Sequence, residues 1–399
     1  MSPPESGTEK QLRRVILLMS LAAFASGFSL RISDPLLPQL AVGFGVSIGS
    51  ASAIVTAYAI PYGLSQAFTG MFGDRFGKCQ WVTVVCLASA VLVLLCALSQ
   101  SITQLTLARL ICAPGAASIV PLGIAFVGDT VPYERRQTVL ARFLAGQMIG
   151  MIAGQVAGGI IGDHFGWRTT FYVLAGVFAF AGGSLLTQLR SNPWTVPMRR
   201  THGATGSFLS DYRKLLFGSW PRFVILAVFF EGAIFFGGFT YVAAFLHLHF
   251  DLSFTLIGLA VAGFGLGCVL YVISVQRLVR LGDRGLVLAG GAVVMLGFLM
   301  LAIAPVWELA PFACAVLGFG YYMVHNTLQT HATQMLPEAR GNAVAGFSSA
   351  LYLGQSIGVA LAAPVIDRAG AAPVFVGAAA LWPLLAIWIN WRLRRHVKR

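Results

Sequence analysis

Charge is what this chain is short of. Asp, Glu, Lys and Arg make up 10% of its 399 residues, against about 25% in soluble domains, so a water-facing surface cannot be built from it. Acids are scarcer still, with 14 Asp and Glu against 27 Lys and Arg and a net charge of +13. Cysteine is sparse too. The six thiols include no C-x-x-C pair and fit no disulfide framework or metal spacing. Cys86, Cys96, Cys112, Cys268 and Cys314 fall in apolar stretches, Cys79 beside one, and all read as small buried side chains. Also missing are a G-x-x-x-x-G-K-S/T loop, an H-E-x-x-H pair and a G-x-S-x-G turn. ATP drive, a resident metal, a cofactor and a membrane-embedded enzyme therefore find no support.

What is present is apolar sequence, 57% of the chain. A bilayer crossing takes about 20 mostly apolar residues. Twelve such stretches can be placed, near 15-43, 48-72, 80-99, 103-128, 138-161, 169-189, 222-247, 254-276, 285-304, 309-335, 342-365 and 372-391. The expectation is an all-α membrane protein of twelve transmembrane helices. Residues 1-14 are polar and basic and run into a first stretch too long for a cleavable signal core. All but four of the Lys and Arg residues lie at the N-terminus, in the even-to-odd loops, at adjacent helix ends or in the tail; the four are Arg31, Arg109, Arg168 and Arg368. The positive-inside rule then puts both termini in the cytoplasm, in a multi-pass protein of the inner membrane. It also accounts for the net charge through the membrane potential and anionic lipid, so no nucleic-acid partner is expected.

The sequence repeats itself. Gly146, Gln147, Ile149 and Gly150 recur as Gly354, Gln355, Ile357 and Gly358, and at similar offsets Pro132 matches Pro337, Asp163 matches Asp367, and Gly166 matches Gly370. Two pseudo-symmetric six-helix halves follow: 1-14 a tail, 15-189 the first half, 190-221 a cytoplasmic linker with a short helix near 208-217, 222-391 the second half, and 392-399 a tail. In the fifth stretch Gly146, Gly150, Gly154, Gly158 and Gly162 recur every four residues, with Gly159 beside them. That spacing leaves one helix face bare for close approach of a neighbouring backbone.

Charges inside the spans are costly and usually face a partner or an aqueous cavity. Arg31 and Asp34 sit three residues apart in the first stretch, close enough on a helix to pair or to serve a cavity together. Arg109 lies in the fourth. Glu231 falls about 15 Å into the seventh, near mid-depth. It is expected as a proton site, as an anchor for a cationic substrate, or as a neutral acid bonded to a neighbouring helix. The tenth stretch holds the most polar run, 325-331, in which His325 and Gln329 share a face and Asn326 adjoins it. These three are candidate substrate contacts, with a structural hydrogen-bond network as the alternative. His325 and His331, six apart, point to different faces and do not suit a metal.

The decapeptide Gly70 to Cys79, GMFGDRFGKC, reads as a charged, glycine-rich turn between the second and third stretches. Its Gly70, Gly73, Asp74, Arg75, Gly77 and Lys78 resemble the helix 2-3 loop motif of the major facilitator superfamily. Arg109 in LARLICAPGAA is similar to that family's helix 4 arginine motif, although Ala113 stands where glycine is usual. Gly154-Gln155-Val156-Ala157-Gly158-Gly159 resembles its helix 5 antiporter signature with Gln155 in place of proline. Asp34-Pro35-Leu36-Leu37-Pro38 resembles the helix 1 region of its drug:proton antiporters.

The resemblance covers nearly the whole chain and implies the major facilitator fold, alternating access and, as a family expectation, a monomer. It implies that Asp34 exchanges a proton under the influence of Arg109. At the cytoplasmic gate it implies that Asp74 caps the start of helix 11 near residues 341-344, and that Arg75 or Lys78 meets Asp129. The function expected is proton-coupled efflux of a small organic compound or drug. Proton-coupled import of a sugar or metabolite is the alternative, and a non-transporting membrane sensor the rival of another class.

Overall fold

Proline and glycine mark several helix ends of this chain, at Pro35 and Pro38 and at Gly45, Gly77, Gly166 and Gly370, while Pro61, Pro114, Pro121, Pro364 and Pro383 lie inside helices. The computed structural model describes residues 7–196 and 208–397, and these form α-helices joined by short turns, with no strand among the described residues. The first half contains α1 (Gly7–Arg31), α2 (Leu37–Phe44), α3 (Ile48–Ala51), α4 (Ala53–Gln66), α5 (Thr69–Phe76), α6 (Lys78–Ala97), α7 (Ile102–Thr130), α8 (Tyr133–Phe165) and α9 (Trp167–Leu189). A short α10 (Phe208–Phe217) precedes α11 (Ser219–Phe239), α12 (Val242–Phe250), α13 (Phe254–Leu278), α14 (Gly282–Ala302), α15 (Leu309–Ala332), α16 (Arg340–Ala369) and α17 (Ala372–Val397). Of the linker expected at 190-221, residues 197-207 lie outside the described residues, as do 1-6 and 398-399 of the tails.

Among the described residues, nine helices are long and apolar enough to cross a membrane. One of these, Phe254–Ala302, has 49 residues, enough for two crossings, and is interrupted at Val279–Leu281 before Gly282. Leu309–Ala332 is long enough but carries the polar run from His325 to His331. The second stretch is cut at Ser52 and again at Ala67 and Phe68, so no piece of it reaches spanning length alone.

Three pairings recur in both halves. α1 packs on α8, α4 on α7 and α6 on α9, and likewise α11 on α16, α13 on α15 and α14 on α17. Each half has its own buried apolar core, one drawn from Val15 to Leu185 and one from Leu215 to Leu393. The halves meet through α8 against α13 and α4 against α16. Gly77 and Gly282, like Gly166 and Gly370, take positive φ (89°, 65°, 79° and 75°) at matching helix-to-helix turns, a backbone region that residues with a Cβ avoid.

The glycine face of α8 lies on α1. A Cβ at Gly146 would come 2.7 Å from the Ser20 carbonyl oxygen and one at Gly154 2.6 Å from that of Phe28, and Gly150 and Gly158 press as closely on Phe24 and Ile32. Gly354 and Gly358 of α16 press in the same way on Phe229 and Ala233 of α11. Gly159 faces the other way and meets Gly258 of α13 across the halves, its Cβ position 3.0 Å from the Gly258 Cα. Without lateral hydrophobic drive in lipid, such backbone approach gives the dispersion contact that holds helices together.

Two expectations need correction. The first stretch is not one helix: α1 ends at Arg31, Asp34–Leu36 forms a 3-10 turn, and α2 restarts at Leu37. Pro35 and Pro38 lack the N–H groups that a continuous helix would use there. The segment from Gly70 is not a turn either, because residues 69–76 are the helix α5 and the change of direction falls on Gly77 alone.

Candidate functional site

The break in the first span holds the buried charges. Arg31 and Asp34 are 5% and 2% exposed, and the Arg31 Nη1 donates to Asp34 Oδ2 at 3.3 Å. Their pairing does not need the shared helical face expected from sequence, since the 3-10 turn carries Asp34 back toward the end of α1. The second Asp34 oxygen, Oδ1, is buried without a partner. The Arg31 guanidinium lies over the Phe236 ring of α11 at 4.2 Å, so this charge sits at the meeting of the two halves.

Arg109 of α7 supports α1 from behind. Its Nη2 donates to the Ser29 carbonyl at 3.1 Å, and its guanidinium stacks 3.7 Å from the Tyr58 ring. Nε and Nη1 are sealed and unpartnered, a cation-rich spot in low dielectric. Ser29 and Tyr58 share a 2.8 Å hydrogen bond, Ser26 and Tyr62 one of 3.0 Å, and Tyr62 packs edge-on against Tyr352 of α16 with centroids 4.7 Å apart.

The second half supplies a matching acid. Glu231 of α11 is fully buried, and its Oε2 lies 3.2 Å from the Nδ1 of His325 on α15, while Oε1 has no partner. His325 stacks on Tyr321 with centroids 5.1 Å apart, and Tyr321 in turn meets Phe236 at 5.8 Å. The two acids are thus ends of one run of contacts, Asp34 to Arg31 to Phe236 to Tyr321 to His325 to Glu231. Asn326 donates to the Tyr271 hydroxyl at 2.9 Å. Gln329 is exposed and takes no part in this network, a departure from the expectation that it shares the His325 site. His331 lies 3.0 Å from Asp283, away from His325. No group of three metal-ligating side chains occurs among the described residues.

The end of the bundle opposite the basic loops is closed. Asp367, in the last turn of α16, accepts from the Gly49 N–H at 2.8 Å and the Ser47 hydroxyl at 2.7 Å. Asp163, in the last turn of α8, accepts from the Thr255 N–H at 3.2 Å and its hydroxyl at 2.7 Å. Each carboxylate caps the first turn of a helix in the other half, where free N–H groups and the positive end of the dipole favour an anion. Ser52 and Tyr241 add a hydrogen bond of 2.8 Å between the halves.

Toward the basic end, the last hydrogen bond between the halves among the described residues runs from the Ser349 hydroxyl to the Gly63 carbonyl at 2.7 Å. Beyond it, Leu64, Met71, Phe72 and Phe76 are exposed. Here the expected contact of Asp74 with residues 341-344 is not made. Its side chain is 59% exposed, 3.9 Å from Lys78, and the start of α16 is met by Asp211 of α10, which accepts from Asn342 at 2.8 Å. With the start of α16 engaged by Asp211, the Asp74 carboxylate makes no bond to it among the described residues. Lys78 forms an ion pair with Asp129, and Arg75 lies over Phe76 at 5.3 Å. Gly73 faces the Leu122 side chain too closely for a Cβ, whereas Gly70 has open space.

Sequence reasoning passed over Tyr58, Tyr62, Tyr271, Tyr321 and Tyr352, because a tyrosine in an apolar stretch looks like core. It used Asp163 and Asp367 only as markers of the repeat; their recurrence at matching helix ends was the signal of a shared role.

A model of the Major Facilitator Superfamily matches residues 19–359. The uncharacterized MFS-type transporter YwfA of Bacillus subtilis is 26% identical over 371 residues, covering 92% of this chain and 88% of that protein. Citrate exporter 1 of Aspergillus niger is 29% identical over 190 residues, 47% of this chain and 36% of that one. Among solved structures, the nucleoside transporter NupG superposes with a TM-score of 0.74 at 15% identity, over 94% of this chain and 97% of that one. A bacterial homologue of the human lysosomal transporter Spinster, in an inward-facing and unoccupied conformation, gives 0.73 at 15% identity over 96% of each chain. With the family model spanning most of its length and this fold throughout, the chain is an integral membrane transporter, not an enzyme, and belongs to the Major Facilitator Superfamily.

Proposed function

We propose that the protein is a proton-coupled secondary transporter of a small organic compound, with Asp34 as the proton carrier. The observation that carries this reading is a buried carboxylate beside one cation at a break in the first span, joined through aromatic contacts to a second buried acid in the other half. A carboxyl whose charge depends chiefly on its nearest cation changes protonation when that cation moves or finds another partner. Arg109 and Glu231 act with it, the first by holding α1 and the second as a further proton site. His325 and Asn326 border the substrate.

Alternating access then takes a simple form. The two six-helix halves, 15-189 and 222-391, rock about the central site, with the linker 190-221 and both termini in the cytoplasm of a monomer in the inner membrane. On that orientation this conformation faces the cytoplasm. The Asp163 and Asp367 caps hold the far end shut, and the loop residues Gly70, Gly73, Asp74, Arg75, Gly77 and Lys78, with Asp129, serve as the cytoplasmic gate in the opposite state.

The helix 1 and helix 5 resemblances support export against proton entry as the first reading. A second, uptake of the compound together with a proton, is favoured by the Arg31–Asp34 pair itself, because a cargo that takes Arg31 leaves Asp34 to bind a proton. Proton movement in everted vesicles carrying native protein or Asp34→Asn tests the coupling, and its sign separates the two directions.

A further inference from the structure

We propose that the junction of the two halves binds an organic anion, a carboxylate-bearing compound, on the guanidinium of Arg31. The inference deepens the reading of this junction as the transport site and rests on it.

Arg31 has five N–H donors. Within the described residues it makes one side-chain hydrogen bond, from Nη1 to Asp34, and at 3.3 Å that bond is longer than the 2.7–2.9 Å usual between charged partners. Among the described residues Nε and Nη2 make no hydrogen bond and are not fully sealed, whereas Nε and Nη1 of Arg109 are sealed without a partner. The two arginines differ in this way: Arg109 is closed in behind α1, and Arg31 keeps a free fork at the junction of the halves. A planar fork with the Phe236 ring packed against its face suits a carboxylate gripped by two parallel hydrogen bonds.

The acids of the site offer a cation less: Asp34 is engaged with Arg31 and Glu231 with His325, and the oxygen left without a partner on each, Oδ1 and Oε1, is sealed from contact. An anion, in contrast, meets an arginine whose protein partner is weakly held. When it takes Arg31, Asp34 loses its hydrogen-bonded counter-ion and keeps only the weaker influence of Arg109, whose guanidinium is turned to Ser29 and Tyr58, so the under-compensated buried carboxylate binds a proton instead. Anion and proton therefore load together, each strengthening the binding of the other by the same factor, which fits joint transport, the second of the two directions above, and not exchange.

The test is equilibrium binding to the purified full-length protein in detergent, with benzoate, benzamide and benzamidine as planar probes that differ in charge, and citrate as a second anion. Native protein should prefer benzoate or citrate to benzamide and benzamidine, and take up about one proton per anion bound in weakly buffered solution. Arg31→Lys, which keeps the charge and loses the fork, should bind the anion about tenfold more weakly. Asp34→Asn frees Arg31 of its competitor and should bind the anion at least as tightly as native protein, with no proton uptake.

Benzamidine bound more tightly than both anions, no binding of either anion, or weaker anion binding by Asp34→Asn would each overturn the assignment. Because binding is read without a gradient, loss of vesicle coupling with anion preference intact removes the proton-carrier reading alone. Proton movement driven by benzamidine keeps the transporter reading and removes the anion.

Discussion

Asp367 holds Gly49 by its backbone: the carboxylate at the end of α16 accepts the N–H of Gly49, in the first turn of α3, at 2.8 Å. Asp163 does the same for Thr255 at the start of α13, so each half caps one helix of the other at the closed end of the molecule. These are exposed, charge-assisted bonds to helix starts, each of the order of 0.3 to 1 kcal/mol. They are strong enough together to bias this end toward closure and weak enough to be broken at small cost, as the proposed alternating access requires.

Removing both caps should therefore open that end. In the double variant Asp163→Asn, Asp367→Asn, spin labels at the exposed positions Val42 and Leu248 should show a larger share of long distances than in native protein. An unchanged distance distribution would mean that packing alone, without the carboxylates, keeps the end closed.

The glycine face of α8 predicts a contrast between positions. Gly154→Ala places a methyl 2.6 Å from the Phe28 carbonyl oxygen and should cost about 1 to 3 kcal/mol through forced separation of α1 and α8. Gly176→Ala and Gly183→Ala, on helix surface with nothing within 4 Å, should leave stability unchanged or slightly raised. Thermal unfolding midpoints in detergent check this, and equal effects at all three sites would contradict the account.

Asp74 should matter to transport and not to this conformation. Its side chain is exposed, so Asp74→Asn should change unfolding free energy by less than about 0.5 kcal/mol. The transport rate should nevertheless fall, since the proposed gate contact is made only when the basic ends of the halves meet. A stability loss well above that figure would show that Asp74 already has a structural partner here.

The Glu231–His325 pair yields a prediction of unequal size for its two members. His325→Ala leaves a buried acid with no partner for Oε2 and should cost about 3 kcal/mol at a pH where Glu231 is ionised, less in acid where it takes a proton. Glu231→Gln keeps a hydrogen-bonding group toward the ring and should be milder. Denaturation at two pH values separates the outcomes, and equal, pH-independent losses would speak against an ionisable Glu231 held by His325.

How far the sequence reaches differs between elements. The repeat of glycine every fourth residue named the close face of α8 outright, because a period near the helical turn survives without any tertiary knowledge. The proline pair at Pro35 and Pro38 also marked the break in the first span, yet high hydropathy on both sides led to one continuous helix. Glu231 and His325 could each be recognised as polar residues in apolar surroundings, but they stand 94 residues apart and nothing local says that they meet. The exposure of Gln329 and of Asp74 was equally out of reach, since both depend on which end of the bundle is open.

The central claim is that Asp34 carries the coupled proton, and everted vesicles with a luminal pH dye test it most directly. Addition of a transported solute to native vesicles should move protons across the membrane, outward from the lumen for exchange and inward for joint transport, and Asp34→Asn should abolish the movement in either case. Solute-driven proton movement in Asp34→Asn equal to that of native protein would contradict the account and leave Glu231 as the remaining buried carboxylate able to couple.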